Sequence, residues 1–200
     1  GLGTRIQSIT ISSTGNAVDI GDLTVARYYG AGVSNGVRGV VGGGIILQPG
    51  APNMATSLEF VTIASDGNAV VFGDLTQARG KMASAETHTR GVFIGSDSGV
   101  PATSTYTNVM DFINIASTGN AQDFGDATSA KVRAAAMFSS TRGVFSGGDP
   151  GSSPHRVDTI DFIEIMTLGN ALDFGDPSSQ SGQRTNHSRS GASSGHGGLG

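Results

Sequence analysis

One octapeptide occurs four times along the chain with few changes. GNAVDIGD begins at Gly15, GNAVVFGD at Gly67, GNAQDFGD at Gly119 and GNALDFGD at Gly169. The asparagines at the second position of these copies are separated by 52, 52 and 50 residues, and they are Asn16, Asn68, Asn120 and Asn170. A fixed period of this length indicates a fold built from stacked copies of one supersecondary unit.

The segments between the octapeptides repeat as well. IQSITISST, LEFVTIASD, MDFINIAST and IDFIEIMTL precede the four copies, and VRGVVGGG, TRGVFIGS and TRGVFSGG follow the first three. The aspartate that ends a copy lies 16 residues before an arginine in three cases, which are Asp22 with Arg38, Asp74 with Arg90, and Asp126 with Arg142. Repetition covers nearly the whole chain, so we expect one domain over residues 1–200, with motif copies at 15–22, 67–74, 119–126 and 169–176.

Each unit has the pattern of four short β-strands. In IDFIEI, Ile163 and Ile165 point to one face, and Ile160 and Phe162 point to the other. A strand that is apolar on both faces is typical of a sheet covered on both sides. RGVF, NALDF and AAAMF supply the other three strands, and no segment shows helical caps with a 3.6-residue apolar stripe. The sequence therefore predicts an all-β fold with the four-stranded blades of a β-propeller.

The position of the chain ends predicts the number of blades. The chain begins in the third strand of a unit, at RIQSITI, and its last residues, GASSGHGGLG, align with the first two strands, MFSSTRGVFS. We expect three complete blades and a fourth blade shared by the two ends, which would leave no open sheet edge. A fragment of a larger ring, or a ring assembled from several chains, is the alternative.

The blade pattern resembles the kelch repeat, with a glycine pair after the second strand and an aromatic residue in the third. The fourth strand carries Phe72, Phe124 and Phe174 where kelch blades often have tryptophan, and Ile20 in the first unit. The sequence pattern IASTGNAxDFGDLTxAR…STRGVFxGG more closely resembles repeats in tail-fibre and other virion proteins of marine bacteriophages of the cyanophage type. That resemblance implies a structural protein of the virion tail or surface, extracellular when it acts, which adheres to the host. The implied partners are other virion proteins, host surface glycans and further copies of the chain.

Composition narrows the remaining function classes. Charged residues make up 14% of the chain and the net charge is −4, so no basic surface for nucleic acid is expected. No apolar run approaches the roughly 20 residues of a membrane span, and the absence of cysteine excludes a thiolate metal site. We expect no cofactor, no metal and no membrane insertion.

The recurring polar residues of the motif are predicted to be structural. Aspartate side chains accept backbone N–H groups in Asx turns, and glycine and asparagine tolerate left-handed backbone in a hairpin turn. The 16-residue interval further predicts an ion pair within each blade between the aspartate and the arginine. The alternative is a calcium ion bound by the aspartates. The structural residues predicted in this way are Asn16, Asp22, Arg38, Asn68, Asp74, Arg90, Asn120, Asp126, Arg142, Asn170 and Asp176.

The segments that do not repeat are better candidates for ligand recognition, because loops on a rigid scaffold carry function. The candidate ligand-binding residues are Tyr28, Tyr29, Lys81, His88 and Tyr106. The two adjacent tyrosines are suited to stacking on a sugar ring, although packing at a blade margin is the alternative. We expect a non-enzymatic adhesion module with no catalytic residue. A purely architectural propeller is the first alternative, and a glycan-degrading enzyme with paired carboxylates is the second.

Overall fold

The chain is built from antiparallel β-sheets. The computed structural model describes residues 3–48, 51–97, 105–151 and 158–177, and these ranges contain seventeen strands in five sheets and no helix. Within the same ranges there is accordingly no helix of the length and apolarity needed to cross a membrane. The predicted all-β class is confirmed.

Three of the sheets are four-stranded meanders with the same order of strands. Their strands agree with the four predicted per unit. Sheet II contains β4 (Ala31–Ser34), β5 (Arg38–Gly42), β8 (Ser57–Thr62) and β9 (Val70–Asp74). Sheet III contains β10 (Ala83–Glu86), β11 (Arg90–Asp97), β12 (Tyr106–Asn114) and β13 (Gln122–Asp126), and sheet IV contains β14 (Ala135–Phe138), β15 (Arg142–Ser146), β16 (Ile160–Glu164) and β17 (Leu172–Gly175).

Two smaller sheets complete the described array. Sheet I pairs β1 (Arg5–Ser8) with β2 (Val18–Asp22), which are the third and fourth strands of the first unit. A side sheet contains β3 (Arg27–Tyr28), β6 (Ile45–Gln48) and β7 (Ala51–Met54). The sequence did not predict the side sheet, which occupies a segment assigned to a loop. The predicted contribution of the carboxyl-terminal residues to the first blade lies outside the described residues.

The three complete sheets pack face to face, with their first strands side by side. Strand β10 contacts both β4 and β14, so these inner strands form one edge of the array. A Cβ atom on Gly91 would collide with Val33 of the preceding sheet, and one on Gly143 would collide with Ala85. Glycine therefore permits the close approach of neighbouring sheets. The apolar residues between the sheets include Phe93 and Phe145, which are fully buried.

A β-bulge in the fourth strand explains the aromatic residue of the motif. Strand β8 pairs Leu58 with Gly73 and Glu59 with Val71, so Phe72 is an extra residue with no partner across the ladder. The same shift occurs at the equivalent position of sheets I, III and IV. The carbonyl of the bulged Phe72 accepts a hydrogen bond of 2.8 Å from Gly119 N–H in the next unit. The bulge thus turns a backbone acceptor away from its own sheet and toward the neighbouring one.

The octapeptide is the junction between successive sheets. At the second junction, Asn120 Oδ1 accepts from Asp74 N–H at 3.1 Å, and Ala121 N–H donates to the Asp74 carbonyl at 2.8 Å. The other two junctions repeat these bonds and the bond to the bulged carbonyl. At the first junction, Asn68 Oδ1 accepts from Asp22 N–H, Ala69 N–H donates to the Asp22 carbonyl, and Gly67 N–H donates to the Ile20 carbonyl. At the third junction, Asn170, Ala171 and Gly169 make the same three bonds, the first two to Asp126 and the last to Phe124.

In the hairpin turn the glycine, and not the asparagine, has a positive φ. The glycine before it has a positive φ of 155° at Gly67 and 157° at Gly119, but Asn68 and Asn120 are not among the residues with positive φ. The asparagine is needed for its side-chain acceptor, which reaches a backbone N–H of the preceding unit. The Asx turns are confirmed where Asp19, Asp123 and Asp173 each accept from the N–H two residues later.

The predicted pairing of motif aspartate with arginine is wrong. The guanidinium groups of Arg38, Arg90 and Arg142 lie 4.5–4.6 Å from the ring centroids of Phe60, Phe112 and Phe162. Two of these arginines also donate to carbonyls of the next unit, Arg38 to Ala116 and Arg90 to Ile165. The planar cation stacks on an aromatic ring of its own sheet and reaches across the junction.

Buried ion pairs, which the sequence reading missed, hold the linkers between sheets. Arg27 pairs with Glu59, Arg79 with Asp111 at 2.6 Å, and Lys131 with Asp161 at 2.7 Å. Each cation follows the last strand of one unit, and each acid lies on the third strand of the next unit. Asp111 also accepts from the N–H and hydroxyl of Thr76. Burial lowers the pKa of Arg79, and the neighbouring Asp111 opposes that shift.

Loss of one partner from a buried pair should be far more costly than loss of both charges. We expect Arg79→Met to lower the free energy of unfolding by about 3–5 kcal/mol, because Asp111 would be left charged and unpaired. The double variant Arg79→Met/Asp111→Asn keeps an acceptor for Thr76 and should recover much of that loss. Urea unfolding measures the effect, with Arg5→Met at the exposed pair with Asp19 as the control. A double variant as unstable as the single one would contradict this account.

Candidate binding site at the end of the inner strands

Four of the five predicted ligand-binding residues lie toward one end of the inner strands. Tyr28 and Tyr29 precede β4, and Lys81 precedes β10. Tyr106 begins β12 opposite Asp97, whose carboxylate binds Lys81 Nζ at 2.7 Å. His88 follows β10 in its hairpin and therefore lies at the opposite end of that strand from Lys81. The structure does not bring His88 into the same site.

Three equivalent residues at this end have a strained backbone. Tyr29, Lys81 and Arg133 have φ values of 58°, 59° and 58°, and they are the non-glycine residues of the described ranges with positive φ. Their backbones are joined in series, because Lys81 N–H donates to the Tyr29 carbonyl at 2.8 Å and Arg133 N–H donates to the Lys81 carbonyl at 3.0 Å. We refer to Tyr29, Lys81 and Arg133 as the αL cluster. The linkers that enter sheets II, III and IV contribute one residue each.

The two tyrosines form the apolar part of the site. Their ring centroids are 5.0 Å apart with planes inclined at 56°, and Tyr29 is 53% exposed. Tyr28 pairs with Ile45 through β3 and β6, so the side sheet lies directly beside the aromatic pair. An exposed aromatic ring held by a neighbouring strand can supply a flat apolar surface to a ligand.

The other two predicted residues are more strongly engaged by the protein. Lys81 is mostly buried, and its charge is balanced by the fully buried carboxylate of Asp97. Tyr106 is half-buried, and a side chain on Gly151 would collide with its ring. Tyr106 therefore packs against the loop after β15.

Arg133 belongs to this site although the sequence reading passed over it. It is half-buried, and no hydrogen bond or ion pair engages its guanidinium in the part of the chain that the structure describes. Its alignment with Tyr29 and Lys81, at intervals of 52 residues, was the signal that could have identified it. The site thus combines exposed aromatic surface with one cation that has no carboxylate partner.

The three glutamates of the chain are held by protein donors. Glu59 is buried against Arg27, Glu86 accepts from the N–H and hydroxyl of Ser34, and Glu164 pairs with Arg142. Among the residues described, no group of three or more His, Asp or Glu side chains is placed to hold a metal ion. The residues at this end of the inner strands can stack on a ligand, donate hydrogen bonds to it and attract an anion.

Fold and site together define an array of equivalent antiparallel sheets with a polar and aromatic cluster at one end of the inner strands. The sequence matches no protein-family model and no curated protein. Among solved structures, the chain is similar to YjhT, with a TM-score of 0.74 and 11% sequence identity. The match covers 90% of this chain and 62% of YjhT, so this chain spans less than two thirds of that protein. At this identity the likeness shows a shared fold alone.

Substitutions of Arg133 can separate the effect of its side chain on stability from the effect of its backbone strain. Glycine adopts a φ near 58° without strain, whereas a β-branched residue is disfavoured there. We expect Arg133→Gly to leave the melting temperature unchanged within about 2 °C or to raise it, and Arg133→Val to lower stability by about 1–2 kcal/mol. Thermal unfolding of both variants measures this. A glycine variant less stable than the valine variant would show that the side chain is needed for folding.

Proposed function

We propose that this protein is a non-enzymatic adhesion module of a virion tail or surface, in which a β-propeller binds host-surface glycans. The observation that carries the proposal is the contact between Tyr28, which is held in the side sheet, and the exposed ring of Tyr29 at the end of the inner strands. Aromatic faces of this kind bind the apolar face of a sugar ring. The assignment to a virion rests on the resemblance of the repeat sequences to those of phage virion proteins.

In the proposed propeller, residues 191–200 supply the first two strands of the first blade and close a ring of four blades. The exposed apolar surface supports this arrangement. Phe72 and Phe124 are each 3% exposed, whereas the equivalent Phe174 of sheet IV is 54% exposed. No atom lies within 4 Å of a Cβ position on Gly175, whereas the equivalent Gly21, Gly73 and Gly125 each lie against a glycine of the next unit. Among the described residues, the outer strand of sheet IV is thus without the neighbour that the other outer strands have.

A groove beside sheet I also supports closure of the ring by the carboxyl-terminal segment. It has a volume of about 640 Å³ and is lined by β1, by the open face of sheet II and by Phe138. This is the position at which the first and second strands lie in a complete unit. The charged residues of the buried ion pair are also absent together from this unit. Gln7 stands at the position of the buried acid, and no lysine or arginine lies between Asp176 and Arg184, where the paired cation would be expected. A repeat formed by the two chain ends would lack both members of the buried ion pair.

Ring closure can be tested through the asparagine of the junction that it would form. If Asn16 caps Asp176 as Asn68 caps Asp22, Asn16→Ala should lower the free energy of unfolding by about 1 kcal/mol, as much as Asn68→Ala. Urea unfolding of both variants measures the comparison. An effect of Asn16→Ala close to zero, beside a clear effect of Asn68→Ala, would refute closure by this junction. A loss that appears only in a dimer would assign the junction to a second copy.

Glycan binding can be tested by removing one ring of the aromatic pair. We expect Tyr29→Gly to weaken binding to host envelope polysaccharide about tenfold, because the stacking surface is lost while the backbone strain is relieved. Binding of labelled polysaccharides to immobilised protein measures the effect. His88→Ala is the matched control, since His88 lies at the other end of β10, and it should bind as the unaltered protein does.

Each alternative function has its own outcome in these experiments. Equal binding by the Tyr29→Gly variant and the unaltered protein would exclude the aromatic pair as the glycan site. Failure of virion assembly on deletion of the chain, with host binding intact, would favour a purely architectural role. Release of reducing sugar from host polysaccharide would favour the glycan-degrading enzyme.

A further inference from the structure

We infer that the αL cluster recognises an acidic saccharide and that Arg133 binds its carboxylate. The inference rests on the proposed glycan binding and adds the chemical class of the ligand. Tyr29 would supply the stacking surface and Arg133 the charge-assisted hydrogen bonds. The two residues lie on either side of Lys81, since all three backbones are hydrogen-bonded in series.

Among the described residues, Arg133 differs from the other lysines and arginines in the partners of its charged group. In the described ranges every other lysine and arginine is held by a carboxylate, a carbonyl or an aromatic ring. Lys81, at the equivalent position of the preceding unit, is neutralised by Asp97. Arg133 is therefore the cation of the αL cluster without a carboxylate partner among the described residues, and it is available to a carboxylate of the ligand. The planar guanidinium can bind both oxygens of such a group at once.

The backbone strain supports a role for the side chains. A position with φ near 58° favours glycine, and this chain contains 32 glycines, many of them at positive φ. Nevertheless, the three equivalent positions carry tyrosine, lysine and arginine, each at a cost of order 1 kcal/mol. The ion pair with Asp97 accounts for Lys81, but within the described ranges no hydrogen bond or ion pair of the guanidinium accounts for Arg133. Binding of a ligand would account for it.

The test compares two trisaccharides that differ in charge. Isothermal titration calorimetry with trigalacturonic acid and with its neutral counterpart, galactotriose, measures the selectivity of the protein for a carboxylate. We expect the unaltered protein to bind the acidic sugar about tenfold more tightly, as a charge-assisted hydrogen bond would give. Arg133→Gly should abolish that preference, so that the variant binds the acidic sugar no more tightly than galactotriose. Raising the salt concentration should weaken binding of the acidic sugar only.

Matched variants separate the specific contact from general charge. Arg5→Ala changes the net charge by the same amount at sheet I, and it should retain the tenfold preference. Arg133→Lys should retain part of it, since the charge remains but the planar fork is lost. Equal affinity of the unaltered protein for both sugars would overturn this inference and leave the proposed glycan binding intact. Preference retained in Arg133→Gly would overturn it as well, and binding of neither sugar or any envelope polysaccharide would refute both proposals.

Discussion

The hydrogen bonds between one sheet and the next are the constraint on which the rest of this structure depends. Sheets I, II and III each end in a bulge that turns a carbonyl outward, and the following unit supplies the donor. An asparagine side chain and an alanine N–H complete the junction. Backbone groups that a single sheet would leave unpaired at its outer strand are thereby satisfied by the neighbour. This explains why the octapeptide varies so little while the other segments differ.

The buried ion pairs place the linkers in the same way. A charge inside a protein is stable only when it is paired and hydrogen-bonded. Arg79 therefore fixes the path of the chain from sheet II to Asp111 of sheet III, and the linker must enter each unit at one point. The residues just after that point, such as Lys81, are held in positive φ by the surrounding bonds. A rigid framework of this kind presents a few side chains precisely where the sequence is free to vary.

Sequence reasoning predicted the strands and the period, because alternation and spacing are local properties of a chain. It did not predict which atoms meet across a junction. Asn120 and Asp74 are 46 residues apart and Arg38 and Ala116 are 78 apart, so neither contact has a local signature. The side sheet was missed because its strands are short and follow a glycine-rich segment. Arg133 was missed because backbone strain is visible only in the fold, although its alignment with Tyr29 and Lys81 was available.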